Sequence, residues 1–397
     1  MSEQQRQTSK NSDWYDATLV ADNPSRLSGI IFAALLVVAL LAVIIFGAVD
    51  VWALGLMALL VGAIAVLWLA DSWLNGEFFF NTSPLQISLL GLIVIGLIQL
   101  LPFGESGVAA DLPGVPAADT LSLAPYLTRF AIVQLVVYLV FFAAALAFIN
   151  NQKRLRKTVV TVIIFGSLMA FFGILQRLAN VEGIYGARRT IEAFTFASYV
   201  NQHHFAALME MTIGLTLALL FGGATTKDKR IFLIAAAAVM GIAIVFTGSR
   251  GGIVSLLAVL GFIVAANLLK KQGDDEQISE DGEKRTNFRR NLAFIVGGLA
   301  VIFGLFGAVI MLGADESLMR GVGLTANAQD VSSGRTHFWN TALKIIADYP
   351  ILGTGLDSFG VSFTRYDTWN GNMRVEQAHN DYLQILADAG ILGFICV

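Results

Sequence analysis

The feature that most constrains this chain is a series of long apolar runs, the first from Ile30 to Val49. A run of about 20 apolar residues is the length of a helix that crosses the ~30 Å hydrocarbon core of a bilayer. Further runs occupy 51–70, 84–102, 127–149, 158–175, 199–222, 231–247, 253–269 and 292–312, giving nine spans. Within lipid every backbone N–H and C=O needs a partner from protein, which leaves helices or a closed barrel. Runs this long without strand alternation read as helices. Charged residues are only 14% of the chain and hydrophobic residues 56%, against about 25% charged in ordinary globular chains. A soluble core has no room for that much apolar surface. The expected fold is an all-α polytopic membrane protein, a bundle of about ten or more transmembrane helices.

Residues 1–27 are polar and of mixed charge and read as a disordered tail. The first run starts too late and runs too long for a cleaved signal peptide. Residues 28–312 form the expected bundle, 313–381 a large loop with short helices, and 382–397 the start of a further span. Sixteen residues of helix rise only ~24 Å, so this last span reads as unfinished at Val397. The single cysteine, Cys396, excludes an internal disulfide framework. A net charge of −3 presents no overall basic face for nucleic acid.

Positive charge orients the bundle. Lys153, Arg154, Arg156 and Lys157 follow the fourth span; Lys227, Lys229 and Arg230 follow the sixth; Lys270, Lys271, Lys284, Arg285, Arg289 and Arg290 flank the loop after the eighth. With nine spans these loops share one side with the N-terminus, which is then cytoplasmic. Ten basic residues remain for the opposite side or the spans, and nine of them are arginine. Topology does not ask for arginine outside, whereas a planar, permanently charged fork suits phosphate or carboxylate. The plain alternative is that exterior loops simply hold the polar residues.

Three exterior segments stand out. Trp339, Ala342, Ile346 and Tyr349 lie at i, i+3, i+7 and i+10, predicting a helix from Arg335 that ends before Pro350 and Gly353. An irregular loop is expected over 353–377, followed by a helix with His379 in its first turn. Gly248-Ser249-Arg250-Gly251-Gly252 joins spans seven and eight, placing an arginine at the water–lipid boundary to clamp a phosphate or to snorkel to headgroups. Span six opens Tyr199-Val-Asn-Gln-His-His-Phe, with Glu210 two turns deeper and on the face of His203. Ionisable groups at such depth are functional candidates by default; the alternative is a bond from Glu210 to a neighbouring hydroxyl. Adjacent His203 and His204 point about 100° apart and make no metal pair, and there is no phosphate-loop or dinucleotide fingerprint. No metal and no cofactor is expected.

The run Phe196-Ala-Ser-Tyr-Val-Asn-Gln-His-His-Phe-Ala-Ala-Leu-Met-Glu-Met resembles a stretch of the O-antigen ligase and polymerase family. So do Phe246-Thr-Gly-Ser-Arg-Gly-Gly, then Gly334-Arg-Thr-His-Phe-Trp-Asn-Thr-Ala-Leu with Pro350-Ile-Leu-Gly-Thr-Gly, and Ala378-His-Asn-Asp-Tyr-Leu-Gln-Ile-Leu-Ala-Asp-Ala-Gly-Ile-Leu-Gly. The resemblance covers about residues 160–397. It departs at His203, where the family has asparagine, and members continue through further spans after the last motif.

This resemblance implies a bacterial inner-membrane enzyme with a large periplasmic loop. Its substrate would be an undecaprenyl-diphosphate-linked glycan, and its acceptor lipid A–core, another glycan or a protein. It points to Arg250 and Arg335 for the diphosphate and to His379 as base, with Arg188, Arg189, His204, Glu210 and Asn380 as further substrate-binding candidates. Diphosphate is a good leaving group, so positive charge on its oxygens replaces a general acid. An acceptor hydroxyl needs a base, and histidine at a helix N-terminus tends to stay neutral and able to accept. The expectation is a metal-independent, inverting glycosyl transfer of the ligase type. Exopolysaccharide or O-antigen polymerisation by the same family is the near alternative, and a lipid-linked-sugar transporter the alternative of another class. A transporter has less support, because matching glycine- or proline-broken half-spans are not evident in the two halves.

Overall fold

The structure is a computed structural model that describes residues 25–104, 119–188, 195–222, 225–275, 334–369 and 374–397. The ninth predicted span, 292–312, lies outside the described residues, as do the tail before 25 and the first part of the predicted loop. The described chain is helical: α1 Arg26–Ile44, α2 Val51–Asn75, α3 Leu85–Gln99, α4 Pro125–Phe148, α5 Gln152–Leu178, α6 Gln202–Phe221, α7 Lys227–Thr247, α8 Arg250–Asp275, α9 Arg335–Asp348, α10 Phe359–Tyr366 and α11 Asp381–Cys396. Among the described residues, extended pairing is confined to isolated bridges at Ile184–Arg188 and Phe196–Tyr199.

Six helices (α1, α2, α4, α5, α6 and α7) are long and apolar enough to cross a membrane. Their outer faces carry exposed large apolar side chains such as Leu59, Val66 and Trp73, which marks a surface built for lipid rather than water. The chain is a membrane protein. One sequence-predicted span is shorter here: helix α3 has 15 residues, a rise of only ~22 Å. Helix α8 runs over 26 residues, Arg250–Asp275. The first run is broken by a 3₁₀ turn at Phe46–Ala48, where Gly47 adopts φ 70°. Helix α5 starts earlier than the apolar run, because Lys153, Arg154, Arg156 and Lys157 are themselves helical.

The chain divides into two units, one of residues 1–38, 51–151 and 328–397, the other of 39–50 and 152–327. In the first, α2 packs on α4, α4 on α3, α3 on α11, and α9, α10 and α11 on one another. Phe338, Ala342, Ile345, Phe359, Phe363 and Ala387 form the buried centre of the last three helices. The buried face of α9 is Phe338, Thr341, Ala342 and Ile345; of the predicted stripe Ala342 is in it, Ile346 and Tyr349 pack partly buried against it, and Trp339 stays 38% exposed. The stretch after Gly353, expected as irregular loop, contains helix α10.

A buried glutamine organises the junction beneath these helices. Gln99 is 1% exposed. Its Nε2 donates to the carbonyls of Leu352 (2.5 Å) and Asp388 (2.8 Å), and its Oε1 accepts from the Leu356 N–H at 2.9 Å. The Pro350–Gly355 turn then runs beside a break in α11 at Gly390 (φ 63°, ψ −164°). Thr354 N–H donates to Ala387, Gly355 N–H to Asp388, and Ile391 N–H to Pro350. Backbone meets backbone here, so no side chain fits. A Cβ on Gly353 would lie 2.4 Å from Asp388 C, and one on Gly390 2.3 Å from Ile351 C.

In the second unit α5 packs on α6 and α7, and α6 on α7 and α8. Phe205, Met209, Ile213, Met240, Ile244 and Leu256 fill its core. Gly252 of α8 allows the approach to α6: a Cβ there would stand 2.9 Å from that of Ala206.

Candidate functional site

Three of the predicted site residues, Arg335, His379 and Asn380, lie in the first unit. Arg188, His204, Glu210 and Arg250 lie in the second. Arg189 is outside the described residues.

In the first unit the site is built on α9 and the entry to α11. Gly334, at φ 81°, turns the chain into α9, and Arg335 is the first helical residue, half-buried. Asn380 is the N-cap of α11, its Oδ1 accepting from Tyr382 N (3.1 Å) and Leu383 N (3.3 Å). This occupies the group that the sequence offered to substrate. His379 is therefore not in the first turn but one residue before the cap, in the left-handed region at φ 51°. Histidine tolerates that region better than most side chains, yet it remains a costly setting that the surroundings must enforce. They do so from both sides: Ala378 O accepts from Trp339 Nε1 at 3.1 Å, and Ala378 N–H donates to Gln384 Oε1 at 2.8 Å. The His379 ring is exposed and lies 6.0 Å, centroid to centroid, from Phe338, one turn along α9 from Arg335. The imidazole thus lies beside the first turn of the helix that Arg335 begins.

The sequence reading missed a third group beside them. His337 Nε2 and Asp367 Oδ1 are 2.7 Å apart, and the imidazole stacks under Trp369 with centroids 4.2 Å apart and planes 8° from parallel. Oδ1 also accepts from Trp369 N at 2.9 Å. The Asp367 carboxyl is held below its ordinary range, first by the Trp369 N–H and then by His337. A carboxyl more acidic when folded stabilises the fold above the unfolded value near 3.8 and loses that contribution as pH falls through its lower folded value. Thermal melts of purified Asp367→Asn should therefore fall below wild type at neutral pH and converge with it as pH drops below 3.8. The spacing of 30 residues gave no periodic signal for this pair.

In the second unit, Gly248 at φ 69° ends α7 and Arg250 begins α8. Ser249, buried between them, accepts from Gly252 N at 3.1 Å and lies 2.8 Å from His203 Nδ1. Asn201 caps α6 by accepting from His203 N. Glu210 is half-buried and bonded to the Ser255 hydroxyl of α8. His203 therefore reaches the turn before α8, and Glu210 reaches α8 itself. His204 is exposed.

Arg188 has a structural occupation. Its Nη1 and Nη2 bind Asp50 Oδ2 and Oδ1 at 2.5 and 2.9 Å, and its guanidinium lies 4.7 Å above the Phe46 ring. The fork expected to hold diphosphate is instead filled by a carboxylate, an arrangement that matches its planar geometry. An Arg188/Asp50 double-mutant cycle on melting free energy should give a coupling of about 1 kcal/mol. Among the described residues no cluster of three or more His, Cys, Asp or Glu offers a metal site.

Residues 235–397 match the family described as O-antigen ligase. No curated protein matches the chain. The matched stretch takes in the Gly248 turn, Arg335 with its helix, and His379; the Phe196–Met211 run, which resembles the same family, precedes it. Over residues 235–397, less than half of its length, this membrane protein is similar to the O-antigen ligase family.

Proposed function

We propose that the chain transfers a glycan from an undecaprenyl-diphosphate carrier to an acceptor hydroxyl at the periplasmic face of the bacterial inner membrane. The observation that supports this reading is that His379, at the entry to α11, lies against Phe338 in the first turn of the helix that Arg335 begins, two helices packed together within the family-matched stretch. Lipid A–core, a further glycan and a protein are the acceptor classes. The basic loops after the fourth, sixth and eighth predicted spans support a cytoplasmic N-terminus and a periplasmic active face.

In this mechanism the acceptor oxygen attacks the anomeric carbon as the bond from that carbon to the diphosphate oxygen breaks. The electron pair leaves with undecaprenyl diphosphate. The hydroxyl proton passes to His379. A single displacement inverts the anomeric centre. Arg335 is assigned to charge developing on the diphosphate, a role arginine fills with no metal. A divalent-cation chelator should therefore leave turnover of the pure protein intact.

The test is a gel of purified protein with undecaprenyl-diphosphate-linked repeat units, first alone and then with each acceptor class, beside His379→Ala. A His379-dependent product with an added acceptor supports ligase-type transfer. A His379-dependent ladder without added acceptor assigns polymerisation, in which lipid-linked glycan is both donor and acceptor. Absence of any product under all conditions overturns the reading.

A further inference from the structure

We propose that Trp369 is a sugar-stacking platform, binding the apolar face of a pyranose ring of the glycan beside His379. The inference rests on the glycosyl-transfer reading above and names a binding residue for it. One face of the indole is covered by the parallel His337 ring at 4.2 Å. The residue is nevertheless 45% exposed. That exposure leaves indole surface beyond the His337 contact for a ligand. The platform is also fixed in place. Asp367 Oδ1 holds both His337 Nε2 and the Trp369 backbone N–H. Gly334 leaves room for the indole edge: a Cβ there would lie 3.2 Å from Trp369 Cη2 and 2.9 Å from Phe338 Cζ.

Position and chemistry point to the ligand. The Phe338 ring lies 5.9 Å from Trp369 and 6.0 Å from His379, so the indole is two ring contacts from the proposed base. The other tryptophan of this cluster, Trp339, gives its Nε1–H to Ala378. One face of a pyranose presents only C–H groups, whose partial positive charge suits the negative face of an aromatic ring. A ring already immobilised loses little conformational freedom on binding. A tryptophan that merely anchors the protein at the lipid headgroups needs no imidazole and carboxylate beneath it.

The experiment uses the full chain in detergent with two probes, undecaprenyl-diphosphate-linked oligosaccharide and undecaprenyl diphosphate carrying no sugar. Trp369 emission is read as the difference between wild type and Trp369→Phe, since the chain has 6 tryptophans. The glycan-bearing carrier should shift that emission and the bare carrier should not. In transfer assays Trp369→Ala should raise KM for the lipid-linked glycan roughly tenfold, the scale of one stacked ring, with kcat falling far less. Trp369→Tyr should restore most of the loss, which separates stacking from misfolding. An equal shift with bare carrier would assign Trp369 to lipid and overturn the proposal, as would an unchanged KM in Trp369→Ala. A wild type that shows the sugar-dependent shift without transfer sinks the transfer reading and keeps the platform. Transfer with an unchanged KM in Trp369→Ala does the reverse. If neither shift nor transfer appears, both fall.

Discussion

Replacing His379 by asparagine is expected to lower glycan transfer by about 10²–10⁴-fold, the usual contribution of a positioned general base. Asparagine is the informative replacement because position 379 sits at φ 51°, a region that asparagine enters readily and β-branched residues do not. The change removes the proton acceptor while leaving the backbone path into α11 intact. Binding of lipid-linked glycan should persist, so the loss should fall on kcat rather than KM. Melting temperature should stay close to wild type, since Asn380 and Gln384 make the local hydrogen bonds that hold this turn. Equal turnover by His379→Asn and wild type would remove the histidine from the chemistry. A fall in melting temperature that paralleled the lost activity would assign it a structural role.

The second large effect is expected at Gly353. Gly353→Val should abolish recovery of folded protein, with a cost above ~4 kcal/mol, the range reserved for packing failures of this kind. A Cβ at this position would sit 2.4 Å from Asp388 C and 2.5 Å from Ala389 N, both backbone atoms, and the residue holds φ 68°. Neither side of the contact has a flexible side chain to move. Gly390→Val should behave alike, because its Cβ meets Ile351 C at 2.3 Å. Gly62→Ala is the control: nothing lies within 4 Å of its Cβ, and alanine is the better helix former. Fluorescence-detected size exclusion of solubilised membranes checks all three. A monodisperse Gly353→Val protein would mean that the turn and the break in α11 do not meet as described.

Much of the helical framework was legible because lipid imposes a simple rule: a segment that crosses must be apolar and must satisfy its own backbone. The long runs that became α2, α4, α6 and α7 could be placed to within several residues on that rule alone. The same rule does not show where a helix extends past the apolar zone. The basic residues from Lys153 to Lys157 are part of α5. Nor does it show where a run breaks. Phe46–Ala48 is apolar throughout, yet the chain turns there.

The motifs around Arg250, Arg335 and His379 were visible as residue types in order, because arginine and histidine are uncommon beside apolar spans. Their local settings were not visible. The first helical turn predicted for His379 is instead a left-handed residue before the cap, since Asn380 outcompetes it for the first free N–H groups. Arg188 looked identical to the other exterior arginines until Asp50, 138 positions away, was found in its fork. On α9 the predicted Ala342, Ile346 and Tyr349 do meet the core, but Phe338 and Ile345 are buried more deeply than Ile346 and Tyr349 because α10 and α11 together set its buried face.

By itself, then, the sequence determined the membrane setting and the helical class and offered candidate residues for phosphate and proton chemistry, all from side-chain type and local periodicity. Only the tertiary structure decided which polar groups are already spent on the fold. Gln99 joins Leu352, Leu356 and Asp388 across more than 250 positions, and His337 finds Asp367 beneath Trp369. Such partnerships depend on distance in space. A hydrogen bond reaches about 3 Å, and the linear chain carries no record of which distant groups folding brings within that reach.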